Sequence, residues 1–214
     1  MTKALIPALG LLATSLLQAA PATLETPMLS ERLLAGEVVA MEVSSDAAGA
    51  SGRMQILVNA PAPAIWDIIV SCEAAFSFVD GLQTCEVLED TGGRALVRQV
   101  VNQGWLIPTY DFVFESLRQY DERIDVRLVE GNLKALAGYW LFRETDAGTL
   151  VDYQIQIQPA LPAPRFIVRR QVRKGMPDML ACIRGLAGGS GTPVLEKQDL
   201  GRCPGPVPGI PTHQ

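Results

Sequence analysis

The chain has 214 residues, 48% of them apolar, with 18 basic and 23 acidic side chains and a net charge of −5. That composition supports a packed core and excludes global disorder, and the length holds one ordinary domain with extensions at its ends. A mildly acidic balance excludes a surface built to wrap nucleic acid.

Met1-Thr2-Lys3 supplies one positive charge, Ala4 to Leu17 runs uncharged and rich in Leu and Ala, and Ala19-Ala20-Pro21-Ala22 offers small residues in an A-x-A-like pattern. That order is the order of a secretory signal peptide, so residues 1–22 are assigned to one. The apolar run is too short for a membrane span, and it lacks the amphipathic pattern of a buried helix. The mature chain is expected to be exported, to a bacterial periplasm. Cleavage would remove Lys3 and no acid, leaving 17 basic against 23 acidic residues and a net charge of −6.

Residues 23–35 read as a peripheral segment. Gly36 to Val43 and Arg53 to Asn59 read as two hairpinned strands, separated by a loop at Ser44 to Gly52. Pro61 and Pro63 stop the sheet and start a helix over Ala64 to Val70, since proline fits a first helical turn. A second short helix follows at Cys72 to Phe78, and Val79-Asp80-Gly81 turns the chain into a strand at Cys85 to Leu88. Further strands are expected at 95–102, 109–117, 123–129, 138–143 and 149–158. In the third-last of these, Ile124, Val126 and Leu128 alternate with Arg123, Asp125 and Arg127. In the last, Val151, Tyr153, Ile155 and Ile157 face one way and Asp152, Gln154, Gln156 and Gln158 the other. The pattern is that of an antiparallel sheet with one buried and one solvated face.

Pro162 and Pro164 introduce a long terminal helix in which Val172, Met176, Met179, Leu180, Ile183 and Leu186 recur at helical spacing. Gly175 and Pro177 predict a kink in its middle. Gly188 to Gly191 ends it, and residues 189–214, with Pro193, Pro204, Pro206, Pro208 and Pro211, read as an irregular tail. Four cysteines in an exported chain suggest disulfides with three possible pairings. The simplest is Cys72–Cys85 with Cys182–Cys203, each closing a local loop. Zinc has no support: no CxxC spacing occurs and the one His is His213.

Strands, two short helices, antiparallel strands and one long helix define an α+β chain. The economical packing is a helix-grip, a curved antiparallel sheet wrapped around the long C-terminal helix. Sheet and helix do not fill each other, and an apolar cavity is expected between them.

Three passages carry a family resemblance. The first is Ile56-Leu57-Val58-Asn59-Ala60-Pro61 leading to Ile65-Trp66. The second is Phe78-Val79-Asp80-Gly81-Leu82 followed by Cys85-Glu86-Val87-Leu88. The third is Gly138-Tyr139-Trp140-Leu141-Phe142 with Gly148-Thr149-Leu150-Val151-Asp152-Tyr153. With the proline-led helix of Pro162 to Ile183, their order resembles the START-like (SRPBCC) helix-grip superfamily, in its polyketide cyclase and coenzyme-Q-binding branch. The likeness spans about residues 36–187, within a domain set at 36–188. Asp80 stands where that branch carries proline, and the leader and cysteines depart from it too. The resemblance implies a carrier for a lipid, sterol, quinone or polyketide-like molecule.

The expected ligand-binding wall is Trp105, Tyr110, Phe112, Phe114, Trp140, Phe142, Tyr153, Ile155 and Ile157, closed by Met176, Met179 and Leu180. Such aromatic and Met surfaces adapt to apolar ligands, although each could equally be plain core. Arg165, Arg169, Arg170, Arg173 and Lys174 form a basic helix face that could meet anionic headgroups. No His precedes His213, so Ser-His and Cys-His nucleophile pairs are excluded, and no phosphate-cradling glycine motif occurs. Asp111 and Glu115 share one strand face opposite the aromatic residues and read as a solvated outer face. The reading is therefore an exported, non-catalytic carrier without cofactor or metal. The alternative is a cyclase- or hydrolase-like enzyme using Asp111, Glu115 or Tyr153.

Overall fold

The computed structural model describes residues 27–45, 49–105, 107–160, 170–188 and 193–206. Eight antiparallel strands build one curved sheet: β1 (Val39–Ser45), β2 (Ala50–Val58), β3 (Leu82–Asp90), β4 (Arg94–Val101), β5 (Tyr110–Gln119), β6 (Arg123–Gly131), β7 (Leu133–Thr145) and β8 (Gly148–Pro159). Their spatial order is β1-β2-β8-β7-β6-β5-β4-β3, so the last strand inserts beside the second. Around the sheet lie α1 (Pro27–Leu34), α2 (Ala62–Val70), α3 (Cys72–Phe78), α4 (Met176–Leu186) and α5 (Pro193–Leu200). The class is the expected α+β helix-grip. No helix among the described residues is long and apolar enough to cross a membrane. The leader assigned to residues 1–22 lies outside the described residues.

Local chemistry explains the two short helices. Pro61 precedes α2 in extended geometry, with Pro63 in the first turn, where the missing N–H would be unpaired anyway. Ser71 ends α2 and starts α3, its hydroxyl accepting from the Ala74 N–H at 3.1 Å, which satisfies one orphan donor of the new helix. Gly81 then turns the chain with φ +73°, in close contact with the Asn102 carbonyl. A side chain there would both clash and strain the backbone.

Of the expected long terminal helix, the described part is shorter. A π-helical turn at Gln171–Gly175 runs directly into α4, while Pro162 and Pro164 lie outside the described residues. The wide turn sits where a kink was expected: Pro177 in the first turn of α4 has no N–H to return to the preceding turn. Below α4, Leu180, Ile183, Met54, Ile56, Ile65, Trp66, Phe142 and Val151 form the main core. Their burial removes apolar surface from water at about 25 cal/mol per Å².

Several expectations are corrected. The first hairpin is tighter: β1 begins at Val39 and extends to Ser45, and β2 already starts at Ala50. β7 reaches back to Leu133, beyond the expected start at Gly138. Residues 27–34 are not merely peripheral but form α1, whose Leu33 packs with Val39 and Leu150. The tail is not irregular throughout. α5 docks on α4 through Arg184, whose Nε and Nη2 donate to Asp199 at 2.7 and 3.0 Å in a buried pair. Proline at the first position of α5 is compatible with a helix start, which a reading of the tail by proline content alone overlooks.

Both disulfides have the simplest pairing. Cys72–Cys85 ties α3 to β3 and Cys182–Cys203 ties α4 to the segment after α5, with Cα separations of 5.4 and 4.9 Å. That segment is held further by Ser77, whose hydroxyl donates to the Pro206 carbonyl at 2.6 Å. A Cβ on Gly205 would overlap the Phe76 carbonyl, so only glycine allows this approach.

Candidate functional site

Between the concave face of the sheet and the helices lies a cavity of about 800 Å³, within the range of small-molecule sites. Period-2 geometry builds its floor: β5 contributes Phe112 and Phe114, β7 Trp140, and β8 Tyr153, Ile155 and Ile157. Trp140 and Tyr153, directly opposite on β7 and β8, stack with ring centroids 3.9 Å apart. The roof is Met176 and Met179 of α4 with Ile69, Ala75 and Phe78 of α2 and α3.

The expected wall is therefore placed in part. Trp105, Phe112, Phe114, Trp140, Tyr153, Ile155, Ile157, Met176 and Met179 line the cavity, but Tyr110, Phe142 and Leu180 do not. Phe142 points into the core under α2, its ring 5.8 Å from that of Trp66, and Leu180 is buried below α4. Trp105 is not a buried wall residue: it is 92% exposed, in the β4–β5 loop beside the mouth. Sequence reading missed Val97, Gln99 and Val101 of β4, and Ser116 and Arg118 of β5, all of which line the cavity. Their signal was available. Alternation carries β4 inward at odd positions and continues from Phe112 and Phe114 to Ser116 and Arg118.

The mouth is basic on one side. Arg170, Arg173 and Lys174 are exposed, and Arg170 and Lys174 border the cavity with Asp80, Asp178 and Arg202. Arg165 and Arg169 lie outside the described residues. Among the described residues, no group of three side chains is placed to hold a metal.

The carboxylates weighed for catalysis sit elsewhere. Asp111 and Glu115 project from the convex face. Asp111 accepts from Arg98 at 2.9 and 2.7 Å, and Glu115 accepts from Arg127 and, at 2.5 Å, from Arg94. These guanidinium partners hold both carboxyls below the usual range. Glu115 is not solvated as expected but covered by its two arginines, with 5% of its side chain exposed. Asp152 departs further: it is fully buried on the convex face. Its carboxylate accepts from Arg53 Nε and Nη2 at 3.0 and 2.6 Å and from Gln55 Nε2 at 2.7 Å. Burial pushes the Asp152 carboxyl up, but those hydrogen bonds outweigh it and the group ends below its ordinary value. Tyr153 is the one group of the catalytic alternative that reaches the cavity, and burial pushes its phenol well above the ordinary value.

An eight-stranded antiparallel sheet curved over α4 with an apolar cavity between them defines a START-like helix-grip domain. Over residues 58–184 the sequence matches the family described as polyketide cyclase / dehydrase and lipid transport, and the chain belongs to that family. Among solved structures it is similar to a STAR-related lipid transfer protein of Xanthomonas axonopodis, at 15% identity and TM-score 0.57, covering 71% of this chain and 98% of that one. It is also similar to the Zhui aromatase/cyclase of a Streptomyces species, at 18% identity and TM-score 0.54, covering 67% and 96%. At such identities the likeness establishes the fold alone. No curated protein matches the chain.

Proposed function

We propose that this protein is an exported, non-catalytic binding or transfer protein for a hydrophobic small molecule held between sheet and terminal helix. The observation that carries the reading is the cavity of about 800 Å³, floored by stacked aromatic residues and roofed by Met176 and Met179. Aromatic and thioether surfaces bind apolar matter without demanding fixed polar geometry. Family membership is consistent with such a ligand, and two disulfides together with the leader-like residues 1–22 support export. Exposed Trp105, Arg170 and Lys174 at the mouth, with exposed Arg173 on the same turn as Lys174, support transient contact with anionic lipid surfaces.

A cyclase-like activity in the same cavity is the second reading, favoured by the family's description. Of the three groups weighed for it, only Tyr153 could touch a cavity ligand. If turnover of an aromatic polyketide or ester survived Tyr153→Phe, that role would be excluded.

The binding test is titration with the neutral fluorophore Nile red. Val126 lies in the cavity wall on β6, and Val126→Trp is expected to weaken probe binding at least about tenfold while the thermal melt stays close to wild type. Equal binding by the filled variant would place the probe outside the cavity and remove the main support for a carrier.

A further inference from the structure

Between the charged mouth and the far end the cavity wall is mostly apolar, but the far end is not. Arg118 lines the cavity with only 8% of its side chain exposed. Its Nη1 donates to Asp90 at 2.8 Å and its Nε to the Ser116 hydroxyl at 3.3 Å. A guanidinium carries five N–H donors, and the rest, including both on Nη2, have no partner among the described residues. Ser116 is itself buried and lines the same wall. Its oxygen is occupied by Arg118, leaving the hydroxyl proton to donate. Asp90 is half-exposed on its far side and takes only one of the donors.

The two residues stand at a defined place. Ser116 pairs with Ala95 and Arg118 with Ile124, and the Arg118 N–H meets the Gly93 carbonyl of the β3–β4 turn. The exposed Trp105 loop joins the opposite ends of β4 and β5. From Phe112 to Arg118 the strand runs about 20 Å at 3.4 Å per residue. The cavity is thus an apolar slot with its mouth at one end and an incompletely satisfied cation at the other.

We infer that Arg118 and Ser116 form a head-binding subsite, so that the ligand is a carboxylate-bearing apolar molecule that enters head first and ends with its carboxylate on Arg118. This inference rests on the carrier reading and narrows its cargo. A planar guanidinium offers two parallel N–H donors to a carboxylate, which a neutral ester or hydrocarbon cannot match. Donors that open on the cavity also penalise an occupant that covers them without pairing them, which favours acids over their esters. Acyl chains and fused-ring acids share this chemistry, and the two are told apart by experiment.

The test is displacement of Nile red from the purified full chain by palmitic acid and methyl palmitate, and by 9-anthracenecarboxylic acid and its methyl ester. Wild type is expected to bind at least one acid about tenfold or more tightly than its ester. Preference in the first pair identifies an acyl chain, in the second a fused ring. Arg118→Met is expected to weaken acid binding and tighten ester binding, so that the two converge. Arg118→Lys should keep part of the preference and Ser116→Ala should lose part. Acid and ester binding alike in wild type would overturn the inference, and this comparison needs no variant to fold. A preference that persists in Arg118→Met would overturn it too. Failure of all four compounds to displace Nile red would instead sink the carrier reading and the subsite with it.

Discussion

Asp152 is the residue on which the sheet's convex face turns. Its carboxylate sits fully buried beneath Arg53, with Gln55 donating from beside it and Arg143 3.7 Å away. Replacing it leaves cations without their partner in a desolvated place, which costs more than the pair's net contribution. Asp152→Asn is expected to lower stability by about 2–3 kcal/mol, reduced from the fully buried case because Arg53 keeps some contact with water. The midpoint of urea unfolding measures this. The carboxyl is held below its unfolded value of about 3.9, so its contribution is present above that pH and is lost as pH falls toward the folded value. Stability should therefore drop on acidification below about pH 4, and Asp152→Asn should flatten that drop. An unchanged acid limb in the variant would assign the pH dependence to Asp90, Asp111 and Glu115, which also titrate low.

The same residue marks how far alternation can be read. The parity of β8 correctly separates Val151, Tyr153, Ile155 and Ile157 from Asp152 and Gln154, because side chains of a strand must alternate. Parity reports a face and not a depth. Asp152 is buried by Arg53, 99 residues away in the chain, and no local pattern contains that partner. Glu115 was misread as solvated for the same reason, its covering arginines lying on β4 and β6.

At the scale of elements, the extension after α4 lies beyond the family match, which ends at residue 184, yet it is fastened to the domain at several points. The buried Arg184–Asp199 pair, the Cys182–Cys203 bond and Gly205 against α3 hold it on the domain, and Arg202 and Pro204 border the cavity. Removing that disulfide as a Cys182→Ser/Cys203→Ser pair should cost about 3 kcal/mol on the loop-entropy estimate, read as a lowered urea midpoint. Gly205→Ala should free residues 201–206 for limited proteolysis while leaving the sheet folded. Equal protease resistance would mean that the close approach to Phe76 does not hold the segment. The short helices and strands here were legible from proline, glycine and alternation. α5 was not, because its anchor is a contact with α4 and its own composition suggests only a tail. Phe142 and Leu180 illustrate the same limit for the site: periodicity puts them on the inner side, and only packing decides between cavity and core.

For the whole molecule, the question is whether the space between sheet and helices is a place for cargo. A curved sheet of eight strands leaves room that one described α4 of 11 residues does not fill, and unfilled apolar space of this size costs stability. The most direct measurement is mass spectrometry of the protein purified natively from its source, compared with the same sample after organic extraction. The carrier account expects an apolar molecule in near-stoichiometric amount, released by extraction and restored on incubation with the extract. Native protein that is empty from the outset, and that takes up nothing from the lipid extract of its own cells, would contradict it.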